Sequence, residues 1–253
     1  MKIASWNVNS LRVRLPQVLQ WLEDNPIDIL AIQETKTQDP DFPKQEIEES
    51  GYKVAFSGQK TYNGVAVLAK TTPKDIITDV KNLDDPQRRI LATTIKDVRV
   101  INLYVVNGSE VGSEKYAYKL DWLSKVTTHI KQELKQHKKV VVLGDFNIAP
   151  DDRDVHDPES WKGKILCSEQ EREAYKNLLS LGLTDTFRQF DQDEKQFSWW
   201  DYRGGGFRRN HGLRIDLILA SQALSEKCKS SVIDKTPRTW ERPSDHTPVI
   251  AEF

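Results

Sequence analysis

The sequence predicts an α/β domain in which two mixed, largely antiparallel sheets pack together and helices lie on the outside. Short apolar segments recur along the 253 residues, and only three segments carry apolar residues at helical spacing. Several apolar segments follow each other closely enough to form hairpins, and strands do not alternate strictly with helices. This pattern favours mixed sheets over an all-parallel sheet.

The predicted strands are short segments of apolar or alternating residues that end at turn residues. They are Lys2–Asn7, Ile27–Ile32, Tyr52–Phe56, Val65–Ala69, Ile90–Thr94, Val98–Val105, Val140–Leu143, Ile215–Leu219 and Val249–Phe253. The first predicted helix is Pro16–Asp24, because proline is well suited to a first helical position. The other two predicted helices are Tyr116–Gln136 and Glu169–Leu181.

A single domain covering residues 1–253 is expected, because the chain is long for one domain but short for two. No linker, repeat or low-complexity stretch divides it. Hydrophobic residues make up 38% of the chain and charged residues 30%, which is typical of a globular protein that folds by itself in water.

The chain shows no secretory signal, and no apolar run approaches the roughly 20 residues that a membrane-spanning helix needs. We therefore expect a cytoplasmic protein with no membrane partner. The two cysteines, Cys167 and Cys228, have no cysteine or histidine at zinc-ligand spacing. Neither a disulfide framework nor a zinc site is predicted.

The formal net charge is −1, from 37 basic and 38 acidic residues, which argues against binding nucleic acid by overall attraction. Any DNA contact must therefore be local. Basic clusters lie at Arg88 and Arg89 and across Arg203, Arg208, Arg209 and Arg214. The lysines of KQELKQHKK are expected on the solvated face of a helix instead.

Polar residues in or directly after apolar strands form the candidate site, because α/β proteins place functional groups at strand ends. These residues are Asn7, Glu34, Tyr104, Asp145, Asn147, Asp216, Asp245 and His246. In KKVVVLGDFNIAP, Asp145 and Asn147 would face the same way if the chain stayed extended beyond the strand. The GDFN segment is equally consistent with a turn held by Asx bonding.

Asp216 and His246 form a second candidate group. Asp216 lies within the apolar strand GLRIDLILA, where an unpaired carboxylate would be costly, and His246 of SDHTPV is a suitable partner. An aspartate that orients a histidine is a recurring catalytic arrangement, and a purely structural ion pair is the alternative. Asp245 and His246 are adjacent, so in an extended segment their side chains would point opposite ways.

Together these residues supply several oxygen ligands, one histidine and one phenol, without a cysteine nucleophile or a Ser/His triad motif. Hard oxygen donors favour Mg²⁺ or Mn²⁺. Hydrolysis of a phosphodiester needs neutralised charge on the phosphoryl oxygens, an activated water and help for the leaving oxygen. The set can provide all three, with no small-molecule cofactor.

Eight segments resemble, in order, the successive motifs of exonuclease III-type abasic endonucleases: WNVNS, QETK, YNGVAV, LYVVNG, GDFNIAP, SWWDYR, GLRIDLILAS and SDHTPV. GDFN and SDH occur across the wider endonuclease/exonuclease/phosphatase superfamily, whereas SWWDYR followed by GLRIDLILAS resembles its DNA-repair branch. The resemblance implies a four-layered α/β sandwich, with two mixed, mainly antiparallel sheets packed face to face and flanked by helices.

The resemblance also implies roles at the metal site. Glu34 would be the main metal ligand, with Asn7 and Asp245 nearby. Asp145 would position or deprotonate the attacking water, and Asn147 would orient it or stabilise the transition state. The implied metal-site set is Asn7, Glu34, Asp145, Asn147, Asp245 and His246.

The resemblance also implies which residues contact the phosphate and the sugar of the DNA. Tyr104 would contact the phosphate or assist the leaving oxygen, and His246, oriented by Asp216, would bind the phosphate. An apolar pocket for a sugar lacking its base is implied at Trp199, Leu213 and Ile215, for which core packing is the alternative. Further implied DNA contacts are Arg12, Tyr62, Asn63 and Asn107.

The implied activity is incision of double-stranded DNA 5′ to abasic sites, cleaning of blocked 3′ ends and 3′→5′ exonuclease action, by a monomer. A specialised 3′-end enzyme is the alternative. Some relatives have become restricted to 3′-end processing because the site for internal cleavage is obstructed. In this chain the segment KILCS contains no bulky histidine, and Leu166 stands there instead.

A hydrolase of lipid or inositol phosphates and a non-catalytic DNA-binding module are further alternatives. The aromatic and basic stretch SWWDYRGGGFRRNHGLR fits DNA better than lipid. Every acidic, amide and histidine position of the motifs is filled, which favours an enzyme.

Overall fold

The computed structural model describes residues 1–253 and contains two six-stranded sheets and one two-stranded ribbon. The strands are β1 (Lys2–Asn7), β2 (Ile29–Gln33), β3 (Lys53–Ser57), β4 (Val65–Ala69), β5 (Lys74–Ile77), β6 (Ile90–Ile95), β7 (Val98–Tyr104), β8 (Val140–Asp145), β9 (Leu183–Asp185), β10 (Trp199–Trp200), β11 (Gly212–Leu213), β12 (Asp216–Ser221), β13 (Ser230–Ile233) and β14 (Val249–Glu252). The α-helices are α1 (Leu11–Asp24), α2 (Lys44–Glu49), α3 (Glu114–Gln136), α4 (Pro158–Trp161), α5 (Glu169–Leu179), α6 (Gly206–Arg209) and α7 (Gln222–Ser225). Short 3₁₀ helices cover Asp39–Asp41, Asp152–Asp154, Thr186–Gln189, Arg203–Gly205 and Thr236–Thr239.

The strand order is β13-β14-β1-β2-β4-β3 in the first sheet and β5-β6-β7-β8-β12-β9 in the second. Each sheet has a single parallel pair, β1 with β2 and β7 with β8, and every other pair is antiparallel. Parallel neighbours need a long crossover, which α1 supplies in the first sheet and α3 in the second. The carboxyl ends of each parallel pair therefore lie at one edge of its sheet.

Three apolar layers hold the sandwich together. The inner layer joins the facing surfaces of the two sheets, for example Val67 of β4 and Leu143 of β8. Trp122 of α3 packs in the layer that covers the outer face of the second sheet, together with residues of α5. Trp21 of α1 packs in the corresponding layer over the first sheet, together with α2. The expected four-layered sandwich of two mixed sheets flanked by helices is confirmed.

The start of α1 differs from the sequence prediction, since the helix begins at Leu11 and Pro16 lies inside it. The backbone N–H groups of Ser10 and Leu11 donate to the carbonyl oxygens of Glu34 and Thr35, just beyond β2. These bonds fix the chain at the point where the helix begins. Pro16 removes one helical hydrogen bond, because it has no backbone N–H.

The strands absent from the sequence prediction, β5, β9, β10, β11 and β13, have two to four residues each. Such segments are too short to show a periodic pattern. β1 and β4, by contrast, agree with the prediction at both ends. No helix of the structure has the length and apolar character needed to cross a bilayer.

Candidate active site

A buried polar contact joins the two sheets next to the predicted site residues. The Nε2 atom of Gln33, at the end of β2, donates to Oδ1 of Asn102 in β7 at 2.7 Å. The Nδ2 atom of Asn102 donates in turn to the carbonyl oxygens of Ile32 and Ala66, at 2.9 Å each. All of these groups are buried, so an unmade bond would be costly and the two sheets are held in one register here.

Asn7 ends β1 and bridges two carboxylates. Its Nδ2 atom donates to Oε1 of Glu34 and to Oδ2 of Asp145, at 2.9 Å in both cases. Its Oδ1 atom accepts from the backbone N–H of Asn9 at 3.0 Å, which fixes which way the amide points. Asn7 thus connects the end of the first sheet to the end of the second.

Glu34 follows β2 in a sharply bent segment. Glu34 and Lys36 both adopt left-handed backbone conformations, with φ of 54° and 51°. The Nζ atom of Lys36 lies 3.0 Å from Oε2 of Glu34 and donates to Oδ1 of Asn9 at 2.5 Å. The Glu34 side chain remains 17% exposed, so a ligand from solvent can reach this carboxylate.

The segment after β8 is a turn, not an extended chain. Asn147 has φ of 48°, and its backbone N–H donates to Oδ1 of Asp145 at 2.9 Å. Of the two alternatives that the sequence leaves open, the structure has the turn, which the Asx bond closes. The turn still brings Asn147 beside the strand ends, since its Nδ2 donates to the carbonyl oxygen of Val105 and its Oδ1 accepts from Asn107, both at 3.0 Å.

His246 stands between two buried carboxylates. Its Nδ1 atom lies 2.9 Å from Oδ2 of Asp216, and its Nε2 atom lies 3.7 Å from Oδ2 of Asp145. The Oγ atom of Ser198 donates to Asp216 at 2.6 Å and accepts the backbone N–H of Asp216 at 3.0 Å. The structure thus brings Asp216 and His246 together as the sequence predicts, and adds Ser198 behind them.

The electrostatics of these groups follow from burial and from their neighbours. Burial raises the pKa of Asp145 to about 7, and His246 only partly opposes this. Burial acts to lower the pKa of His246, but the carboxylates of Asp216 and Asp145 outweigh it and raise that pKa to about 10. Burial, with Glu34 and Asp145 nearby, raises the pKa of Tyr104 well above its usual value. At neutral pH the site thus presents an imidazolium, a neutral phenol and a carboxylate close to its titration point.

The arrangement fits a hard divalent cation. Glu34, Asp145 and His246 each offer one ligand atom, and these atoms lie within 4.8 Å of one another. A cation between the two carboxylates would offset their like charge in a buried place, and carboxylate oxygens suit such ions. The positive charge of His246 favours an anion beside it, and Glu34 and Asp145 are the oxygen donors of this group.

Asp245 lies outside that group of ligand atoms. Its carboxylate accepts from Nδ2 of Asn9 at 2.9 Å and from Nε1 of Trp199 at 3.0 Å. The adjacent residues Asp245 and His246 therefore do have different partners, as their positions in the sequence predict. Asp245 ties the loop after β1 to the ribbon that carries Trp199.

The three predicted pocket residues meet in one apolar cluster. Leu213 and Ile215 are buried there with Ala149, Val155, Leu166 and Cys167, and Trp199 packs against the cluster while it stays half-buried. Trp199 pairs with Leu213 in the β10–β11 ribbon and also forms a bridge with His246. The cluster therefore lies beside the imidazole. Leu213 and Ile215 are packed in the core, and of the three residues only Trp199 keeps accessible surface.

The other predicted DNA contacts differ in accessibility. Arg12 is exposed and lines a polar groove of about 520 Å³ together with Lys36 and Lys60. Tyr62 is 67% exposed. Asn63 is buried, and its Nδ2 is engaged by the side chains of Gln59 and Gln87 at 3.1 Å each. Asn107 is exposed and bonded to Asn147.

Arg214 does not belong to an accessible basic cluster. Its side chain is 1% exposed and is bound by the carboxylates of Asp154 and Asp185. Arginine in such a buried pair contributes to the fold rather than to ligand binding. Arg203, Arg208 and Arg209 are exposed, so the local basic surface consists of these three residues.

Several residues of the site have no place in the sequence prediction. They are Asn9, Lys36, Lys119 and Ser198. Lys119 could have been found, because it falls on the buried stripe of α3 between Tyr116 and Trp122. Asn9 and Lys36 follow predicted site residues by two positions, whereas nothing in the sequence marks Ser198.

Comparison with known proteins agrees with the geometry. The model of the endonuclease/exonuclease/phosphatase family matches residues 4–246. Exodeoxyribonuclease III from Haemophilus influenzae is 36% identical over 100% of both chains. The 3′ phosphatase NExo from Neisseria, solved as a variant bound to product DNA hairpin, has a TM-score of 0.98 and 50% identity, covering 100% of this chain and 99% of the other.

An AP endonuclease from Archaeoglobus fulgidus shares the fold with a TM-score of 0.96 and 39% identity, again over 100% of this chain and 99% of the other. The similarity therefore extends over the whole sandwich, including the strand ends that carry the buried acids and His246. Because the family match and the full-length relatives agree, the chain belongs to the exonuclease III-type branch of the endonuclease/exonuclease/phosphatase family.

Proposed function

We propose that the chain is a divalent-metal-dependent DNA phosphodiesterase of base excision repair. It incises duplex DNA 5′ to abasic sites, removes blocking groups from 3′ ends and degrades duplex DNA from the 3′ end. The observation that carries the proposal is the position of Asp145, which lies between the amide of Asn7 at 2.9 Å and the imidazole of His246 at 3.7 Å.

The phosphate is bound by the cationic His246. Its raised pKa keeps the imidazole charged at neutral pH, and Asp216 fixes the ring through Nδ1. The Nε2–H group is then free to donate to a phosphoryl oxygen and to stabilise the charge that grows there during attack. Asp216 and Ser198 act through His246 and are positioning residues.

Asp145 prepares the attacking water. Its carboxylate lies beside Nδ2 of Asn7 and Nε2 of His246 and can accept a proton from a water bound there. The Asx turn places Asn147 directly beside it, where the amide can hold the same water in line. Tyr104, kept as a neutral phenol, can donate to the leaving oxygen.

Glu34 and Asp145 are the residues that would hold Mg²⁺ or Mn²⁺, with the amide of Asn7 between them. A bound divalent ion supplies neutralisation of the phosphoryl and leaving oxygens. The resemblance also assigns Asn147, Asp245 and His246 to this site, where Asp245 accepts from Asn9 and Trp199 and His246 serves the phosphate. Turnover in Mg²⁺ compared with Mn²⁺ identifies the ion that the enzyme uses.

The sugar is recognised by the apolar cluster next to His246. Trp199 offers accessible aromatic surface at its edge, and Leu213 and Ile215 are buried in the cluster against which Trp199 packs. An abasic deoxyribose can turn toward this surface without a base to unstack, whereas an intact nucleotide must bear that cost. This difference accounts for selectivity toward abasic DNA.

The DNA backbone is held by local positive charge rather than by net charge. Arg12, Lys36 and Lys60 line the polar groove beside Glu34, and Arg203 and Arg209 are exposed beyond the ribbon. Tyr62 and Asn107 extend this surface, and Asn63 shapes the loop that presents Tyr62. Phosphate contacts of this kind fix register and orientation on the duplex.

A specialised 3′-end enzyme is the second candidate, and the similarity to the 3′ phosphatase NExo at 50% identity supports 3′-end cleaning as part of the activity. Leu166 is buried in the apolar cluster, so it leaves the pocket edge at Trp199 unobstructed. We therefore favour an enzyme that has both activities. A monomeric state and a cytoplasmic location belong to the same proposal.

The proposal is tested with a labelled duplex that carries one abasic-site analogue, and with a second duplex that has a 3′-phosphate. Each is incubated with the protein in Mg²⁺, in Mn²⁺ and in EDTA. Metal-dependent incision 5′ to the lesion and removal of the 3′-phosphate are both expected. Cleavage of the second duplex alone would establish the 3′-end specialist, and binding without cleavage would contradict the enzymatic proposal.

The matched variants are Asp145→Ala and Asp97→Ala. Asp97 is an exposed acid in the turn between β6 and β7, at the opposite end of the sheet from Tyr104. Asp145→Ala should lose incision, and Asp97→Ala should retain it. Equal activity of the two variants would refute the assigned role of Asp145.

A further inference from the structure

Lys119 of α3 is buried completely, which is unusual for a lysine. Its Nζ atom donates to the carbonyl oxygen of Asn147 at 2.6 Å, to the carbonyl oxygen of Asn107 at 3.1 Å and to the carboxylate of Glu171. An ammonium group has three donors, so all of them are used. Two of the three partners belong to residues whose side chains are bonded to each other at the active site.

Glu171 also binds a second segment, the one that contains Leu166 and Ser168. It is buried, and its Oε1 atom accepts the backbone N–H of Leu166 at 3.1 Å. Its Oε2 atom accepts the backbone N–H of Ser168 at 3.1 Å and the Ser168 hydroxyl at 2.6 Å, as part of the capping box that begins α5. The pair therefore ties α3 and α5 to the segment that carries Leu166.

Both tethered segments contain a non-glycine residue in the left-handed region. Asn147 has φ of 48° and Leu166 has φ of 70°. Such conformations are unfavourable for residues that carry a side chain and persist only where their surroundings impose them. The backbone N–H of Ala149 donates to the carbonyl oxygen of Leu166 at 2.8 Å, so the two segments are also joined directly.

A buried ion pair is a weak source of stability, because desolvation offsets most of its attraction. Stability alone does not explain why a fully buried lysine is placed where its donors reach Asn147 and Asn107. We propose that the Lys119–Glu171 pair is a positioning element that holds the Asn147 turn against the phosphate site and the Leu166 segment against the apolar cluster. The kinetic test of this inference rests on the proposed function, whereas hydrogen exchange tests the inference independently of activity.

The same helix provides a matched control. Arg99 and Glu133 form a second buried ion pair, between the start of β7 and the last turns of α3. Arg99 and Val140 are partners at one end of the β7–β8 strand pair. Tyr104 and Asp145 are partners at the other end, where the site lies. Loss of the control pair therefore removes an equally buried interaction at the opposite end of the sheet.

The experiment compares Lys119→Met/Glu171→Gln with Arg99→Met/Glu133→Gln. Replacing both partners avoids an unpaired buried charge, so both variants are expected to fold. A displacement of about 1 Å in a catalytic group can lower turnover by about a hundredfold. On the abasic duplex we expect kcat of the first variant to fall at least about tenfold with KM within about threefold, and the control to keep both values.

Hydrogen exchange of the Asn147 and Ala149 amides should accelerate in the first variant and stay unchanged in the control. If native protein fails to cleave DNA, the proposed function fails, and the exchange rates still test the positioning role. Equal kcat and equal exchange in the two variants would overturn it.

If the double variant does not fold, Lys119→Arg is the variant to test in its place. It retains the charge opposite Glu171, but its planar guanidinium presents donors in a different geometry. A melting temperature near that of the native protein with a reduced kcat supports the inference. Native kcat in this variant contradicts it.

Discussion

The Nδ1 atom of His246 lies 2.9 Å from Oδ2 of Asp216, and the same carboxylate oxygen accepts from the Ser198 hydroxyl at 2.6 Å. The carboxylate is therefore held from two sides, and the imidazole directs Nε2 toward Asp145. Because Asp216 contributes most to keeping His246 charged, it controls both the orientation and the protonation of the group assigned to the phosphate.

Asp216→Asn should lower turnover on the abasic duplex by about 10²–10⁴-fold, because an amide can neither support the imidazolium nor fix the Nδ1–H form. Ser198→Ala should cost only about tenfold, since the carboxylate remains and loses one hydrogen bond. Single-turnover rates measure both effects. Equal losses in the two variants would show that Ser198 does more than hold Asp216.

Asp145→Asn should make the stability of the metal-free protein less dependent on pH between pH 5 and pH 8. Burial raises the pKa of Asp145 to about 7, against 3.8 in an exposed group, so the folded state favours the protonated acid. The resulting stability is present below pH 3.8 and is lost as pH rises to about 7, where the buried carboxylate ionises. An asparagine cannot ionise, so the variant should lose less stability than the native protein as pH rises from 5 to 8. Its amide also places a donor against Nδ2 of Asn7 or the N–H of Asn147, and this cost does not change with pH.

Thermal unfolding in EDTA at pH 5 and at pH 8 tests this expectation. The difference between variant and native protein should be larger at pH 8, because more of the native Asp145 is ionised there. Added Mg²⁺ should reduce the difference, as a bound cation stabilises the native carboxylate pair. A melting temperature of the variant that does not rise relative to the native protein between pH 5 and pH 8 in EDTA would contradict the assigned electrostatics.

Leu166→His should separate the two proposed activities. Leu166 is 5% exposed in the apolar cluster, where an imidazole would lack hydrogen-bond partners, so the polar ring should turn out of the cluster toward the pocket edge near Trp199. Incision at an internal abasic site should fall at least about tenfold, because an obstructing group discriminates by clash, whereas 3′-phosphate removal should remain. Leu166→Met is the volume-matched control and should keep both activities.

The sequence predicts the strands and helices best where a long apolar pattern exists. β1 and β4 agree at both ends, and α3 begins only two residues before its predicted start. The short edge strands and the ribbon at Trp199 carry too few residues for a pattern, and tertiary pairing forms them. The start of α1 depends on backbone bonds to the loop after β2, which no local rule contains.

The site is predictable only in part, for related reasons. Polar residues at strand ends mark Asn7 and Asp145, because burial of such groups needs a compensating role. The Asx turn at Asn147 is a local alternative that the sequence offers, whereas the burial of Arg214 depends on Asp154 and Asp185, which are distant in sequence. Lys119 shows the limit most clearly, since its helical position predicts burial but its contact with Asn147 spans 28 residues.

The two kinds of arginine in the basic stretch should respond in opposite ways to substitution. Arg209 is exposed, so Arg209→Ala should leave the melting temperature unchanged. Loss of one phosphate contact should weaken DNA binding for all sequences and reduce the slope of log Kd against log salt by about 1. Arg214 is 1% exposed between Asp154 and Asp185, and Arg214→Ala leaves two buried carboxylates without their main partner.

Removing one member of a buried ion pair costs about 3–5 kcal/mol. For a chain of this size that loss lowers the melting temperature by roughly 6–20 °C. Below its own melting temperature, Arg214→Ala should retain the native salt dependence, since this side chain does not reach DNA. Both variants are tested by thermal unfolding and by a salt titration of binding to an abasic duplex. A reduced salt slope in Arg214→Ala would mean that this guanidinium reaches DNA after a rearrangement of the Asp154–Asp185 pair.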